Sequence, residues 1–312
     1  MIGIRAIGSY LPENKINNVE QARQFGESDD FISTKIGALQ LPCMPDGMET
    51  SDMAVAAVKV LVQDHDLDLE TVDAVVVVTQ NGDGSGLPHT AAIVQDKLDL
   101  KGRVAAFDLS LGCSGYVYGL SVVKGLMEQA GLKNALLITA DPYSKIIDRK
   151  DRITTLLFGD AATATWLTEE SEWKFGKPLL DTDGSGASNL LVNDKTLSMN
   201  GRQVFNFASK KVPKQIRDYL ESNNLQMTDI DIYCLHQGSA SIVDAIAKRF
   251  PEVSDRFISD IRNTGNTISS SIPFLLQNVL NKDNVQKVLM SGFGVGLSWA
   301  TNMLYREERN DK

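Results

Sequence analysis

Three residues in this 312-residue chain stand in runs that suit chemistry: a cysteine, a histidine and an asparagine. Cys113 lies in Leu111-Gly112-Cys113-Ser114-Gly115, where an apolar strand pattern ends and a helical one begins. At a helix start a sulfur faces unbonded backbone N–H groups and the positive end of the dipole, which lowers a thiol pKa and makes it nucleophilic. Gly112 and Gly115 permit a sharp turn and close approach of backbone to substrate. A cysteine is also a small residue that packs well in cores. Cys43 and Cys234, which lack this setting, are read that way.

His236, in Tyr233-Cys234-Leu235-His236-Gln237, ends a buried strand pattern, the place where α/β sheets present active-site residues. By itself it is equally a core histidine with its bonds satisfied. His65 sits among aspartates and reads as surface, and His89 lies in a loop. Asn266, in Arg262-Asn263-Thr264-Gly265-Asn266-Thr267, belongs to a turn and is also placed to cap the following helix. The Gly-rich run 292–300 joins two strands. No helix follows it, so it is no dinucleotide fingerprint; an exposed N–H there would serve an oxyanion. The loops at 81–86 and 181–186 lack the spacing of calcium ligands and read as turns.

Positioning these groups falls to short apolar runs that alternate with helical patterns. Strands are predicted at residues 3–7, 74–79, 104–109, 135–139, 161–167, 230–235, 287–291 and 297–305. Helices are predicted at 51–64, 90–98, 113–130, 209–222, 239–250 and 269–280. Runs such as Ala-Val-Val-Val-Val lack polar alternation, so those strands are buried on both faces. The alternation implies an α/β fold with mainly parallel sheets.

The chain also echoes itself. Residues 58–80 and 216–237 both run from a helix through a Val-Asp or Ile-Asp pair into a buried strand ending in Gln or His-Gln. Residues 134–141 and 286–293 form a second echo. Both pairs are offset by about 150 residues, near the size of a domain. Two matched halves are therefore expected, residues 1–170 with Cys113 and 171–312 with His236 and Asn266, joined around 167–180.

A net charge of −9 repels phosphates and argues against nucleic acid. Three cysteines make no disulfide framework, which suits a reducing compartment. No run approaches the roughly 20 apolar residues that cross a bilayer, and the N-terminus has no leader pattern. A soluble, cytoplasmic protein is expected.

With Cys113, His236 and Asn266 in place, the chain resembles the β-ketoacyl-acyl carrier protein synthase III family. The matching runs are LGCSG, LHQGS and NTGNTISSSIP, supported by ETSDMA, LFGDAATA, DGSGAS and GFGVGLSWA, in order along essentially the whole chain. The resemblance implies a thiolase fold, α/β with duplicated halves in five αβαβα layers, and a homodimer. It implies that Cys113 accepts an acyl group from acyl-CoA. His236 and Asn266 would then hold the carbonyl of a malonyl thioester and stabilise the enolate left by decarboxylation. The N–H groups of Cys113 and Val295 would form the oxyanion hole. No metal or cofactor is implied beyond CoA or acyl carrier protein thioesters as substrates.

By the same resemblance, Phe31 and Lys35 stand where a Trp and an Arg often hold the CoA nucleotide, and Arg152 matches an arginine that contacts CoA. Leu87 matches a residue, often Phe, that gates acyl length from the dimer partner. Gln237, Lys248 and Arg249 are candidates for carrier-protein docking. The chain departs from the pattern at Ser239, at Ser241 in place of a docking Arg, at Asn206 where a basic residue is common, and at Val295 in place of Gly. These departures point to a specialised pathway. The competing readings are acyl transfer to an amine, hydroxyl or sugar without decarboxylation, and a non-catalytic partner subunit.

Overall fold

The computed structural model describes residues 1–84 and 86–307. Five strands come first: β1 (Gly3–Tyr10), β2 (Ala74–Val78), β3 (Ala105–Leu109), β4 (Asn134–Ala140) and β5 (Ala162–Thr168). Six follow: β6 (Trp173–Phe175), β7 (Leu179–Thr182), β8 (Ile232–Leu235), β9 (Phe257–Ile258), β10 (Lys287–Gly294) and β11 (Ser298–Arg306). They form one sheet, ordered β9-β8-β10-β11-β6-β1-β5-β4-β2-β3, with β7 also pairing β11.

This order contains the same arrangement twice. In β1-β5-β4-β2-β3 the first two pairings are antiparallel and the last two parallel. In β6-β11-β10-β8-β9 the senses are the same. A short antiparallel pairing of β1 with β6 joins the two sets.

Six helices clothe the sheet: α1 (Thr50–His65), α2 (Thr90–Lys97), α3 (Gly115–Ala130), α4 (Gly201–Ser222), α5 (Ala240–Ala247) and α6 (Ser271–Val279). Strand β2 shows why both faces need cover. Val76 and Val78 pack with Tyr116, Val117 and Leu120 of α3. Val75 and Val77 point the other way, onto α1 and α2. Each such buried valine contributes roughly 1.5–3 kcal/mol. The second set repeats the division. Cys234 of β8 meets Ile272 and Leu276 of α6, while Tyr233 and Leu235 meet Val212 and Ile216 of α4. Helices α3 and α6 share one cluster, so they form the middle layer between the two strand sets. The stack is α1/α2, strands, α3/α6, strands, α4/α5. This is the five-layer arrangement that the resemblance implies.

The strand and helix expectations hold at most positions, with three differences of extent. Helix α3 starts two residues after Cys113, because residues 110–114 are spent turning out of β3. Helix α4 begins at Gly201 rather than near 209, since the Asn200 side chain accepts from the N–H of Gln203 and caps an earlier start. Helix α6 is preceded by a 3₁₀ turn, Ile268–Ser270. Strands β6, β7 and β9 and the ribbons Lys15–Asn17 with Gln40–Pro42 and Leu190–Asn193 with Thr196–Met199 are additional.

Candidate active site

Cys113 lies on the turn between β3 and α3, buried where the middle layer meets β10. The glycines around it are a steric necessity. A Cβ on Gly294 would stand 2.6 Å from Sγ, and one on Gly292 would stand 2.8 Å from the Cys113 carbonyl oxygen. A Cβ on Gly112 would meet the Gln80 side chain at 2.9 Å. The Gly-rich run read above as a possible oxyanion element is thus the strand that walls the sulfur.

The expected lowering of the thiol pKa is not what this setting gives. Burial pushes the Cys113 thiol up to about 12, and the Asp141 carboxylate adds to the rise. The N–H groups of Val295 and of Cys113 itself hydrogen-bond the sulfur and pull the other way, without prevailing. Helix α3 begins two residues after the cysteine, and the cost of burying a thiolate outweighs what its dipole and the two N–H groups offer. The thiol rests protonated at neutral pH and must lose its proton as it attacks.

His236 follows the last residue of β8, as an α/β sheet edge requires, and its N–H donates to the Ser291 carbonyl at 2.9 Å. Its ring is buried, edge-on to Phe293 with centroids 5.3 Å apart. Nδ1 lies 2.8 Å from the Ser271 hydroxyl. Burial lowers its pKa to about 3, against a weaker upward pull from the Ile268 carbonyl. The imidazole is therefore neutral across the physiological range.

Asn266 is carried by a loop docked on the other strand set. Its N–H donates to the Leu157 carbonyl at 2.9 Å, and its carbonyl accepts from Gly159 N–H at 3.1 Å. Gly265 is left-handed, with φ 64°, and a Cβ there would strike Leu41. The Asn266 Oδ1 accepts from Ile268 N–H at 3.0 Å and caps the 3₁₀ turn. Its Nδ2 donates to the Gly238 carbonyl at 3.4 Å. A Cβ on that Gly238 would be 3.7 Å from His236 Nε2, which places the two side chains together.

One cavity of about 230 Å³ is lined by Cys113, His236 and Asn266. Phe31, Lys35 and Arg152 line it too, along with apolar residues such as Leu156, Val204 and Phe205. Arg152 lies 5.8 Å over the Phe31 ring and pairs with Glu27. Ser239 and Ser241 are on the wall, their hydroxyls 3.0 Å apart, and Ser239 also caps α5.

Other candidates lie elsewhere. Leu87 is 91% exposed and does not line the cavity of its own chain. Lys248 is exposed and pairs with Asp244 at 2.6 Å, and Arg249 is exposed beyond the end of α5. Gln237 corrects an expectation. It is 2% exposed, with Oε1 accepting from Ser259 and Asp260 and Nε2 donating to the Leu235 carbonyl. A buried amide with these partners gives a carrier protein nothing to dock on.

Three residues beside the site escaped sequence reasoning. Asp141 is buried, and burial raises its pKa to about 7 although Gln80 N–H and the Asn81 amide donate to it. Tyr143 lines the cavity, packs on Phe158 and donates to Gln80 Oε1 at 3.3 Å. Ser271 touches His236. Their signals were faint: Asp141 and Tyr143 follow a strand end, and Ser271 closes the NTGNTISSS run.

Known proteins resemble this chain throughout. The 3-oxoacyl-[acyl-carrier-protein (ACP)] synthase III family matches residues 107–184, and its C-terminal counterpart matches residues 220–305. The β-ketoacyl-[acyl-carrier-protein] synthase III of Lactococcus lactis subsp. lactis (strain IL1403) is 34% identical, over 96% of this chain and 98% of its own. That of Clostridium perfringens (strain ATCC 13124) is 35% identical, over 97% and 98%. The solved 3-oxoacyl-(acyl carrier protein) synthase III of Pseudomonas aeruginosa PAO1 superposes with a TM-score of 0.89 at 32% identity, covering 98% of each chain. With the five-layer stack and one cavity joining Cys113, His236 and Asn266, these likenesses show that the chain is a thiolase-fold acyltransferase belonging to the β-ketoacyl-[acyl-carrier-protein] synthase III family.

Proposed function

We propose that Cys113 takes an acyl group from acyl-CoA and that the enzyme joins it to a malonyl thioester by decarboxylative condensation. The observation that carries this is the shared cavity, where a sulfur, a neutral imidazole and a carboxamide face one space. In the first half-reaction Sγ attacks the thioester carbonyl as its proton passes through water to the departing CoA sulfur, which leaves as the free thiol. The N–H groups of Cys113 and Val295, already directed at the sulfur, hold the developing oxyanion.

In the second, the C–C bond to the malonyl carboxylate breaks and releases carbon dioxide. The electron pair becomes an enolate, whose oxygen His236 and Asn266 stabilise as donors. The enolate carbon attacks the acyl-Cys113 carbonyl, and Sγ leaves as a thiolate that takes a proton from water to restore the thiol. A donor aimed at such an oxygen is worth about 3–4 kcal/mol of barrier. No metal or redox group is called for.

Phe31, Lys35 and Arg152 hold the CoA nucleotide, an apolar ring and two cations at one cavity wall. Lys248 and Arg249 meet an acyl carrier protein. The catalytic unit is a homodimer of cytoplasmic chains, in which the partner's copy of exposed Leu87 gates acyl length. The chain divides into halves at 1–170 and 171–312, each with one strand set. Acyl transfer without condensation has less support, because it leaves the His236–Asn266 pair without an enolate to hold.

Intact-protein mass spectrometry after incubation with acyl-CoAs reads the first half-reaction, and labelled carbon dioxide from malonyl thioester reads the second. Absence of any acyl adduct on Cys113 overturns the reading. Adduct formation without carbon dioxide release favours simple transfer.

A further inference from the structure

His236 can act as a donor to an enolate only if the hydrogen of its neutral ring is on the nitrogen facing the cavity. A neutral imidazole carries one N–H, and the partner of the other nitrogen decides which one carries it. Here two groups compete for that role: the Ser271 hydroxyl, 2.8 Å from Nδ1, which can donate or accept, and the Ile268 carbonyl beside the ring, which can only accept. Ser271 has one hydrogen to give and two acceptors for it: Nδ1, and the Ile268 carbonyl at 3.0 Å. Its oxygen also receives Gln237 N–H at 3.4 Å.

The two arrangements have opposite results. If Ser271 donates to Ile268, Nδ1 must supply the hydrogen of the 2.8 Å contact, and Nε2 presents a lone pair to the cavity. If Ser271 donates to Nδ1, Nε2 carries the hydrogen. The Ile268 carbonyl does not then go unsatisfied, because it also accepts the Ser271 backbone N–H. The hydroxyl is therefore free to turn to Nδ1, the shorter of its two contacts. Ring rotation offers no escape, since Phe293 stands edge-on and the ring is buried.

We propose that Ser271 is a positioning residue whose hydroxyl, donating to Nδ1, holds His236 in the tautomer that turns Nε2–H to the cavity. This rests on the proposed condensation, where that hydrogen meets the enolate oxygen. A carbonyl cannot replace the hydroxyl, because it only accepts. Without the hydroxyl, Ile268 is the acceptor beside the ring, and it favours a hydrogen on Nδ1. A wrong tautomer in intact geometry is costly to a catalytic histidine.

The chain has three histidines, so ring-¹⁵N-labelled protein gives a spectrum that single substitutions at His65 and His89 assign. Long-range ¹H–¹⁵N correlation distinguishes a protonated from a bare ring nitrogen. The wild type is expected to show Nε2 protonated and Nδ1 bare. Ser271→Ala is expected to move the proton to Nδ1 and slow carbon dioxide release about 100-fold, with acylation of Cys113 changed less than about threefold. Ser271→Thr, which keeps the hydroxyl, restores both the spectrum and the rate.

A wild-type spectrum with the proton on Nδ1 overturns the proposal even if no variant folds. So does a Ser271→Ala spectrum identical to wild type. A wild type that neither acylates Cys113 nor releases carbon dioxide brings down the proposed function instead, and the ring spectra still decide the role of Ser271.

Discussion

Cys113 is held where its proton is hard to remove, and His236 where a proton is hard to add. Burial dominates both. The division of labour that follows is testable residue by residue. Asn266→Ala is expected to leave acylation of Cys113 within about tenfold of wild type and to cut carbon dioxide release by about 10²–10³. Cys113→Ala should show no adduct at all. Parallel mass spectrometry and label release check both.

The histidine also makes a pH prediction. Its folded pKa, about 3, lies below the ordinary 6.5, so the neutral ring contributes stability that is present above pH 6.5 and lost as pH falls toward 3. Urea midpoints measured from pH 7 to 4 should therefore fall more steeply for wild type than for His236→Gln. Equal slopes would show that the ring is not the group responsible. Cys113, His236 and Asn266 stand out in sequence because each sits in a distinctive run, and the structure brings them to one cavity. The sign of the cysteine shift was not legible there, because it depends on what β10 and Asp141 bring to the sulfur from far along the chain.

At the scale of elements, the wall around Cys113 is built from backbone. Gly294→Ala would place a methyl within 2.6 Å of Sγ, so strand or sulfur must move. A loss of about 1–3 kcal/mol is expected, read as a lower denaturation midpoint, along with slower acylation. Gly131→Ala, at the left-handed residue that ends α3 far from Cys113 and where a Cβ meets nothing within 4 Å, tests left-handed strain alone: the midpoint should fall with acylation unchanged.

The long strands and helices could be read from uninterrupted valines and from helical spacing. Strands β6, β7 and β9 could not, because two to four residues carry no period. The early start of α4 was hidden because its cap, Asn200, precedes a polar first turn. The corrected reading of Gln237 has another origin. It came from the family resemblance, which says nothing of burial, whereas the side chain is enclosed by Leu235, Ser259 and Asp260.

For the whole molecule, the strand order shows what the echoes in sequence only suggested: one arrangement occurs twice, back to back across α3 and α6. The pairing of strands from distant segments could not be read from local patterns. Among the described strands, β3 ends one side of the sheet and pairs only with β2, and an unpaired edge is open to another chain. Sedimentation equilibrium is expected to give twice the mass of one chain. In that dimer Leu87→Phe should shift the preferred acyl-CoA toward shorter chains, read as the adduct profile on Cys113. A monomer with the full profile would refute the assembly.

The seam through Asn266 has a consequence for how this enzyme fails. The residue's backbone is bonded to Leu157 and Gly159, while its side chain donates to the Gly238 carbonyl, two residues past His236 at the end of β8. The cavity is thus closed by parts of both strand sets, and neither set alone contains Cys113, His236 and Asn266 together. Denaturant should therefore erase condensation no later than it separates the sets, which makes turnover a reporter of their docking.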